Sequence, residues 1–325
     1  MSRVVVYGVG AIGGVVAAAL SAAGKEVAGI ARGAQLQAIR QGGLRLLSPD
    51  TDVTAQFDCF GDPSEIDWRT DDLILLCMKT QDTLPALERL RAAGVEDQHI
   101  FCLQNGVTNE RLALRRFPNV HGVTVMLPGT FQHPGVVASH SSPRYGMFDI
   151  GRFPFGHDDA DARLAEAMEA ANIATFVQDD VMASKYGKLL MNLGNITQAA
   201  LGSGVDQGDL PAMMKSEGEA ALTAAGIAWT DVGQDDPRRK KFMQLKEVDG
   251  VPRAGGSTAQ SLMRGAGSVE TDYLNGEIVY LGRLHGVPTP VNSAMLRVGA
   301  RLAREGVKPG QTTLADLKAE VARTS

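Results

Sequence analysis

Val4-Val5-Val6-Tyr7-Gly8-Val9-Gly10-Ala11-Ile12-Gly13 decides how the first half of this chain is read. The β-branched run before Gly8 predicts a strand, the small residues from Ala11 to Ala23 predict a helix, and Glu26 to Ile30 predicts a second strand. Between the first two lies G-x-G-x-x-G. In that context Gly8 permits a tight turn, Gly10 lets the backbone approach a pyrophosphate, and Gly13 lets the helix pack on the strand. Ala11 and Ile12 lie in the first helical turn, where free N–H groups and partial positive charge favour phosphate. The motif alone is weak; its position between strand, helix and strand points to a dinucleotide site rather than a chance glycine turn.

The end of the second strand discriminates between dinucleotides. An acid there would serve an unphosphorylated ribose. The chain instead reads Ala28-Gly29-Ile30-Ala31-Arg32-Gly33. Arg32 stands where a guanidinium would clamp a 2′-phosphate, so the expected cofactor is NADP(H); a plain surface arginine is the alternative. Lys79 follows the run Leu73 to Met78 and offers a second phosphate or ribose contact, or an ordinary surface charge. Asn105, in Leu103-Gln104-Asn105-Gly106-Val107, follows the strand predicted over His99 to Leu103. It reads as a ligand contact, although Asn-Gly is also a good turn.

Outward from this motif, short apolar runs alternate with helical patterns: Thr83 to Ala93 as helix, Asn119 to Met126 as strand, Asp161 to Ala171 as helix, and Thr175 to Val177 as a last strand. This alternation predicts an α/β domain of Rossmann type, doubly wound, with a mostly parallel sheet covered by helices on both faces. Gly and Pro between residues 128 and 157 predict late strands and hairpins. After Met182 the patterns are helical: Lys185 to Gln198, Leu210 to Ala225, Asp236 to Leu245, Glu270 to His285 and Pro290 to Arg304. The expected division is 1–178 for the nucleotide-binding domain and 179–325 for an all-α substrate and catalytic domain.

With 325 residues, 44% of them hydrophobic, the chain can fill two domains. A net charge of -5 and no basic stripe exclude a nucleic-acid partner. The run Arg238 to Lys241 reads as a solvated helix start or loop. The three cysteines have no disulfide or zinc spacing, and the six histidines have no metal-ligand spacing, so no metal is expected. No leader precedes the first strand and no apolar run spans a bilayer, which predicts a cytoplasmic protein without a membrane partner. The sequence does not fix the oligomeric state, a homodimer being one expectation.

Carbonyl reduction with a nicotinamide needs a proton donor for the developing alkoxide. Lys188, Asn192 and Asn195 stand at i, i+4 and i+7 and share one face of the predicted helix. Asparagines inside a helix of Leu and Met form a polar patch aimed at a ligand, or else make interhelix hydrogen bonds. Burial beside a ligand lowers a lysine toward the acid–base range. Glu270 opens the helix predicted over Glu270 to His285, where an acid either bonds Lys188 or a substrate hydroxyl or simply favours the helix dipole; Glu277 on the same face competes with it. Ser257, after Gly255-Gly256, lies in a loop suited to a carboxylate.

These pieces in order resemble the ketopantoate reductase (2-dehydropantoate 2-reductase) family over nearly the whole chain: G-V-G-A-I-G at Gly8, Lys79 in C-M-K-T-Q-D-T, L-Q-N-G-V at Asn105, K-L-L-M-N at Lys188, Ser257 before Q-S-L, and E-T-D-Y-L-N-G-E at Glu270. The resemblance implies NADPH-dependent reduction of a 2-oxo acid, ketopantoate, on the way to coenzyme A. It implies Lys188 as general acid, Glu270 as its essential partner, Asn105, Asn192 and Ser257 on the substrate, and Arg32 with Lys79 on the 2′-phosphate. It also implies a C-terminal domain of the 6-phosphogluconate-dehydrogenase type with substrate in the cleft between domains. Asn195 falls one residue short of the family's spacing, and nothing from Gly202 to Gly256 matches. Reduction of another branched 2-oxo acid or related carbonyl, and a non-catalytic NADPH sensor, are the competing readings.

Overall fold

The computed structural model describes residues 2–253, 255–265 and 267–323. The chain forms two compact units, Met1–Lys185 with Gln234–Arg253, and Tyr186–Gly233 with Ala254–Ser325. Where the loss of strand patterns suggests one crossing near residue 178, the chain crosses three times.

In the first unit, β1 (Val4–Tyr7), α1 (Ala11–Ala22), β2 (Val27–Ile30), α2 (Gly33–Gly42), β3 (Leu44–Leu47), β4 (Asp52–Ala55), β5 (Asp58–Phe60), β6 (Leu73–Leu76), α3 (Thr83–Ala92), β7 (His99–Cys102), α4 (Asn109–Leu114) and β8 (Val120–Met126) follow in order. Next come β9 (Gly129–His133), β10 (Val136–Ser139), β11 (Ser141–Pro143), β12 (Gly146–Arg152), α5 (Asp159–Ala170) and β13 (Ile173–Val177). The main sheet has eight strands in the order β13-β12-β8-β7-β6-β1-β2-β5. Six run parallel; β12 is antiparallel to β8 and parallel to β13, so the sheet is mostly parallel. Its centre is apolar on both faces, as Val4, Val6, Leu73 and Leu75 face one core while Val5, Ile74 and Leu76 face the other.

Helices cover both faces as expected, α1 and α5 packing into one core and α3 and α4 into the other. A second sheet, β4-β3-β10-β9, lies against α1. Small residues in α1 allow this: a Cβ at Gly14 would lie 2.7 Å from Val137 Cγ1 of β10. Strands β3, β4 and β5 and helix α2 are short pieces that hydrophobic periodicity did not reveal.

The second unit takes up most of α6 (Val181–Asn192), then α7 (Asn195–Leu201) and α8 (Leu210–Ala224). The first unit regains α9 (Pro237–Phe242) and β14 (Met243–Leu245), and the second continues with α10 (Ser257–Met263), α11 (Asn275–His285), α12 (Pro290–Glu305) and α13 (Leu314–Ala322). The helix expected over Asp236 to Leu245 is therefore half helix and half strand: β14 pairs antiparallel with β11. The basic run within it is not simply solvated. Arg238 bonds Asp149 at 2.6 Å and Asp236 at 2.7 Å, and lies over the Phe176 ring at 4.9 Å. As expected, α11 stops where Gly286 adopts left-handed backbone. Among the described residues no helix is long and apolar enough to cross a membrane.

Candidate functional site

The carboxyl edge of β2, β1, β6 and β7 brings four sequence candidates together: Arg32, the Gly8–Gly13 loop, Lys79 and Asn105. Gly8 has φ +103°, and a Cβ there would meet Met78 N at 2.9 Å, so both the turn and the neighbouring loop require glycine. A Cβ at Gly13 would lie 2.3 Å from Gly8 O and 2.8 Å from Cys77 Cβ, the close helix–strand approach expected of this position. At Gly10 the corresponding space is open to 4 Å. The first bond within α1 runs from Gly14 N to Gly10 O at 2.8 Å, leaving the N–H groups of Ala11, Ile12 and Gly13 at the helix end. Open space over Gly10 beside those donors fits a dinucleotide pyrophosphate. Arg32 is exposed at the N-cap of α2, directly after β2.

Two loops at this edge are held by a buried polar network. Gln104 Nε2 donates to Met78 O at 3.0 Å and to Thr83 Oγ1 at 2.7 Å. Asn109 Nδ2 donates to Asn105 O at 3.2 Å and to Thr80 Oγ1 at 3.3 Å, while Thr83 Oγ1 donates to Asn109 Oδ1 at 2.8 Å. The half-buried Lys79 and Asn105 are thus carried on loops cross-linked beneath them. Gln35 does the same for the glycine loop: its Nε2 donates to Val9 O at 3.1 Å, and its Oε1 accepts from Gly135 N at 2.9 Å.

Lys185 is a residue that sequence reasoning passed over. Its Nζ donates to the carbonyls of Cys102, Gln104 and Val123 at 3.3, 3.0 and 3.1 Å and pairs with Glu110 Oε1 at 2.7 Å. Its position three residues before Lys188, among apolar neighbours, was the available signal; Glu110 carried none.

In the second unit, Lys188 is half-buried and Asn192 buried, one turn apart on α6. The third member of the predicted face does not belong to that helix. The helix expected over Lys185 to Gln198 breaks at Leu193 and Gly194, so Asn195 begins α7 instead. The break is stabilised by Asn275, whose Nδ2 donates to Leu193 O at 3.2 Å and to Asn292 Oδ1 at 3.0 Å. Those bonds secure the segment after Glu270 to the end of α6. Glu270 itself lies in a separate 3₁₀ turn, Glu270–Tyr273, rather than in the first turn of a long helix. Glu277 is in the first turn of α11; both carboxylates are buried. Ser257, expected in a loop, is the first residue of α10. Its neighbour Gly256 lies close to α7: a Cβ there would be 2.9 Å from Gln198 Oε1 and 3.8 Å from Asn195 Oδ1.

The cysteines offer no nucleophile at this edge. Burial pushes all three thiols up, Cys59 to about 11.

Two family models match the chain. Residues 4–154 match the family model "Ketopantoate reductase PanE/ApbA", and residues 180–302 match its C-terminal model. A 2-dehydropantoate 2-reductase of Mesorhizobium japonicum is 28% identical, covering 93% of this chain and 98% of the relative. That of Pyrococcus horikoshii is 25% identical over 89% of this chain and 94% of its own. Among solved structures, a PanE/ApbA family ketopantoate reductase from Ralstonia eutropha has a TM-score of 0.75 at 30% identity, covering 94% and 99% of the two chains. A D-mandelate dehydrogenase solved with NADH and anilino(oxo)acetate shares the fold, with a TM-score of 0.77 at 21% identity and coverage of 94% and 99%. The glycine loop, the helical second unit and both family models lead to one assignment: the chain belongs to the ketopantoate reductase family.

Proposed function

We propose that this protein reduces 2-dehydropantoate to pantoate, with NADPH as hydride donor and Lys188 as general acid. The observation that carries the reading is the match of both family models together with full-length relatives named 2-dehydropantoate 2-reductase. The dinucleotide, when bound, supplies hydride to the carbonyl carbon of the 2-oxo acid. The N–H groups of Ala11, Ile12 and Gly13 hold its pyrophosphate, with Gly8 shaping the turn and Gly10 leaving room. Arg32, supported by Lys79, binds the 2′-phosphate. Guanidinium suits that dianion, and an exposed position at the end of β2 leaves it free to fold over the ligand.

Lys188 donates the proton that the carbonyl oxygen needs as it becomes a hydroxyl. Glu270 accepts a hydrogen bond from Lys188 or from the substrate hydroxyl and so orients the acid. Asn105, Asn192, Asn195 and Ser257 hold the substrate's polar groups. Asn105 also faces the cofactor, because its loop shares an edge with the glycine loop.

Following NADPH absorbance with ketopantoate, for wild type beside Lys188→Ala, tests this reading. Turnover that collapses in the variant supports substrate and acid together. Absent wild-type turnover with NADPH still bound would overturn the substrate. The displacement of Asn195 onto α7 favours a second reading, reduction of a different branched 2-oxo acid. Comparing kcat/KM over a panel of 2-oxo acids separates the two. A non-catalytic NADPH sensor would show no carbonyl-dependent oxidation with any of them. The reading also places the protein in the cytoplasm, and a homodimer is open to sedimentation.

A further inference from the structure

We propose that His99, His121 and Asp158 form a binding site for a divalent transition-metal ion of the zinc class, at the amino edge of the main sheet. His99 is the first residue of β7, His121 the second of β8, and Asp158 the N-cap of α5. Their ligand atoms all lie within 4.8 Å of one another. His99 Nδ1 is 2.9 Å from His121 Nε2, which is 3.9 Å from Asp158 Oδ2. Around a tetrahedral zinc with ligands at about 2.0–2.1 Å, neighbouring ligand atoms stand roughly 3.3 Å apart. The two observed spacings bracket that value, so small side-chain rotations complete the geometry, and solvent supplies the fourth ligand.

The surroundings prepare His121 for this role. Its Nδ1 lies 2.8 Å from the buried Asp161 Oδ1; a carboxylate only accepts, so the ring donates through Nδ1 and keeps a lone pair on Nε2. A carboxylate behind a ligating histidine is the common outer support of zinc sites. Stacking on Phe101, with ring centroids 4.2 Å apart, fixes the ring plane. The Nε2 lone pair now accepts from His99 Nδ1–H. A metal ion would take the place of that proton, which the same ring then carries on Nε2 as the other tautomer, so no net proton is lost.

Charge favours a cation only if one contact yields. Asp158 and Asp161 stand against Arg152, which bonds Asp158 Oδ2, and the exposed Arg163. Arg152 also donates to Pro118 O and Asn119 Oδ1, so giving up Asp158 Oδ2 does not leave its guanidinium without partners. His99 and Asp158 are both partly exposed, which provides an entry path.

The test is titration of chelator-treated protein with Co²⁺, followed by visible absorption, and with Zn²⁺ by calorimetry. One saturable equivalent and tetrahedral cobalt bands are expected. His99→Ala should abolish them while leaving NADPH binding intact. Asp161→Asn should weaken binding about ten- to hundredfold. The absence of stoichiometric binding, or bands that persist in His99→Ala, would overturn the proposal and leave a hydrogen-bonded carboxylate–histidine–histidine chain. His99 is partly exposed, so its variant is expected to fold, and its melting temperature without metal checks this.

Discussion

Lys185 Nζ and Glu110 Oε1 lie 2.7 Å apart with both side chains almost wholly withdrawn from solvent, Lys185 also holding the Cys102 and Gln104 carbonyls that lead into the Asn105 loop. Removing one partner of such a pair strands a buried charge. Lys185→Met should cost roughly 3–5 kcal/mol. The double variant Lys185→Met/Glu110→Met should recover at least half of that loss, since a buried pair replaced by apolar side chains is often neutral. Denaturant midpoints of the wild type and the two variants decide it. A double variant as unstable as the single one would place the value of Lys185 in its three carbonyl contacts rather than in Glu110.

Arg32 bears on cofactor choice. Arg32→Ala should weaken NADPH by about 1.5–3 kcal/mol, the scale of a hydrogen bond to a charged group. NADH affinity should hardly change. Fluorescence titrations of the two nucleotides measure this, and equal losses would remove the basis for preferring NADP(H).

Lys188→Ala should lower kcat about 10²- to 10⁴-fold, the range for losing a general acid. NADPH affinity should stay near wild type, because Lys188 lies on α6 and the glycine loop lies after β1. A variant that loses nucleotide binding to the same extent would indicate a structural role.

Gly187 precedes Lys188, and a Cβ there would lie 1.7 Å from Thr230 O. That oxygen and the Thr230 carbonyl carbon, 2.8 Å away, both belong to backbone, so neither yields as a flexible side chain does. Gly187→Ala should destabilise by roughly 1–3 kcal/mol, the cost of overpacking, and should reduce kcat as α6 shifts. An unchanged unfolding midpoint would show that Thr230 moves aside freely.

His140 is buried with no hydrogen-bond partner for either ring nitrogen among the described residues. Burial, and then the charge of Arg253, lower its pKa. Below about pH 6.5 the unfolded chain therefore takes up a proton that the folded chain resists. Stability is present above that pH and declines as the pH falls. His99 titrates with the same sign. Melting temperatures from about pH 5 to 8 should fall on the acid side, less steeply in His140→Met; an unaltered slope would exonerate His140.

Much of the first unit was legible because its signals are local. Gly8, Gly10 and Gly13 carry their geometry in one short loop and the helical turn that follows it, and the apolar runs of β1, β6 and β7 announce buried parallel strands. The site in the second unit was legible as residues but not as shape. Lys188 and Asn192 share a face because one helix carries both. Asn195 fell off that face because Asn275, 82 residues from Leu193, stabilises the break in α6. No periodicity within Lys185 to Gln198 contains that information. The same limit hid β14, whose three residues become a strand only beside β11, and hid the meeting of His99 with His121, which comes from adjacent strands rather than spacing.

The return of Gln234–Arg253 to the first unit sets an order on the protein's birth. When residue 185 has been made, β11 still lacks its partner strand, and Asp149 still lacks Arg238, which comes 89 residues later. The nucleotide-binding half therefore emerges unfinished and waits while α7 and α8 are synthesised. A gene cut after α6 would encode not a smaller stable protein but a first unit with β11 unpaired and a carboxylate without its guanidinium.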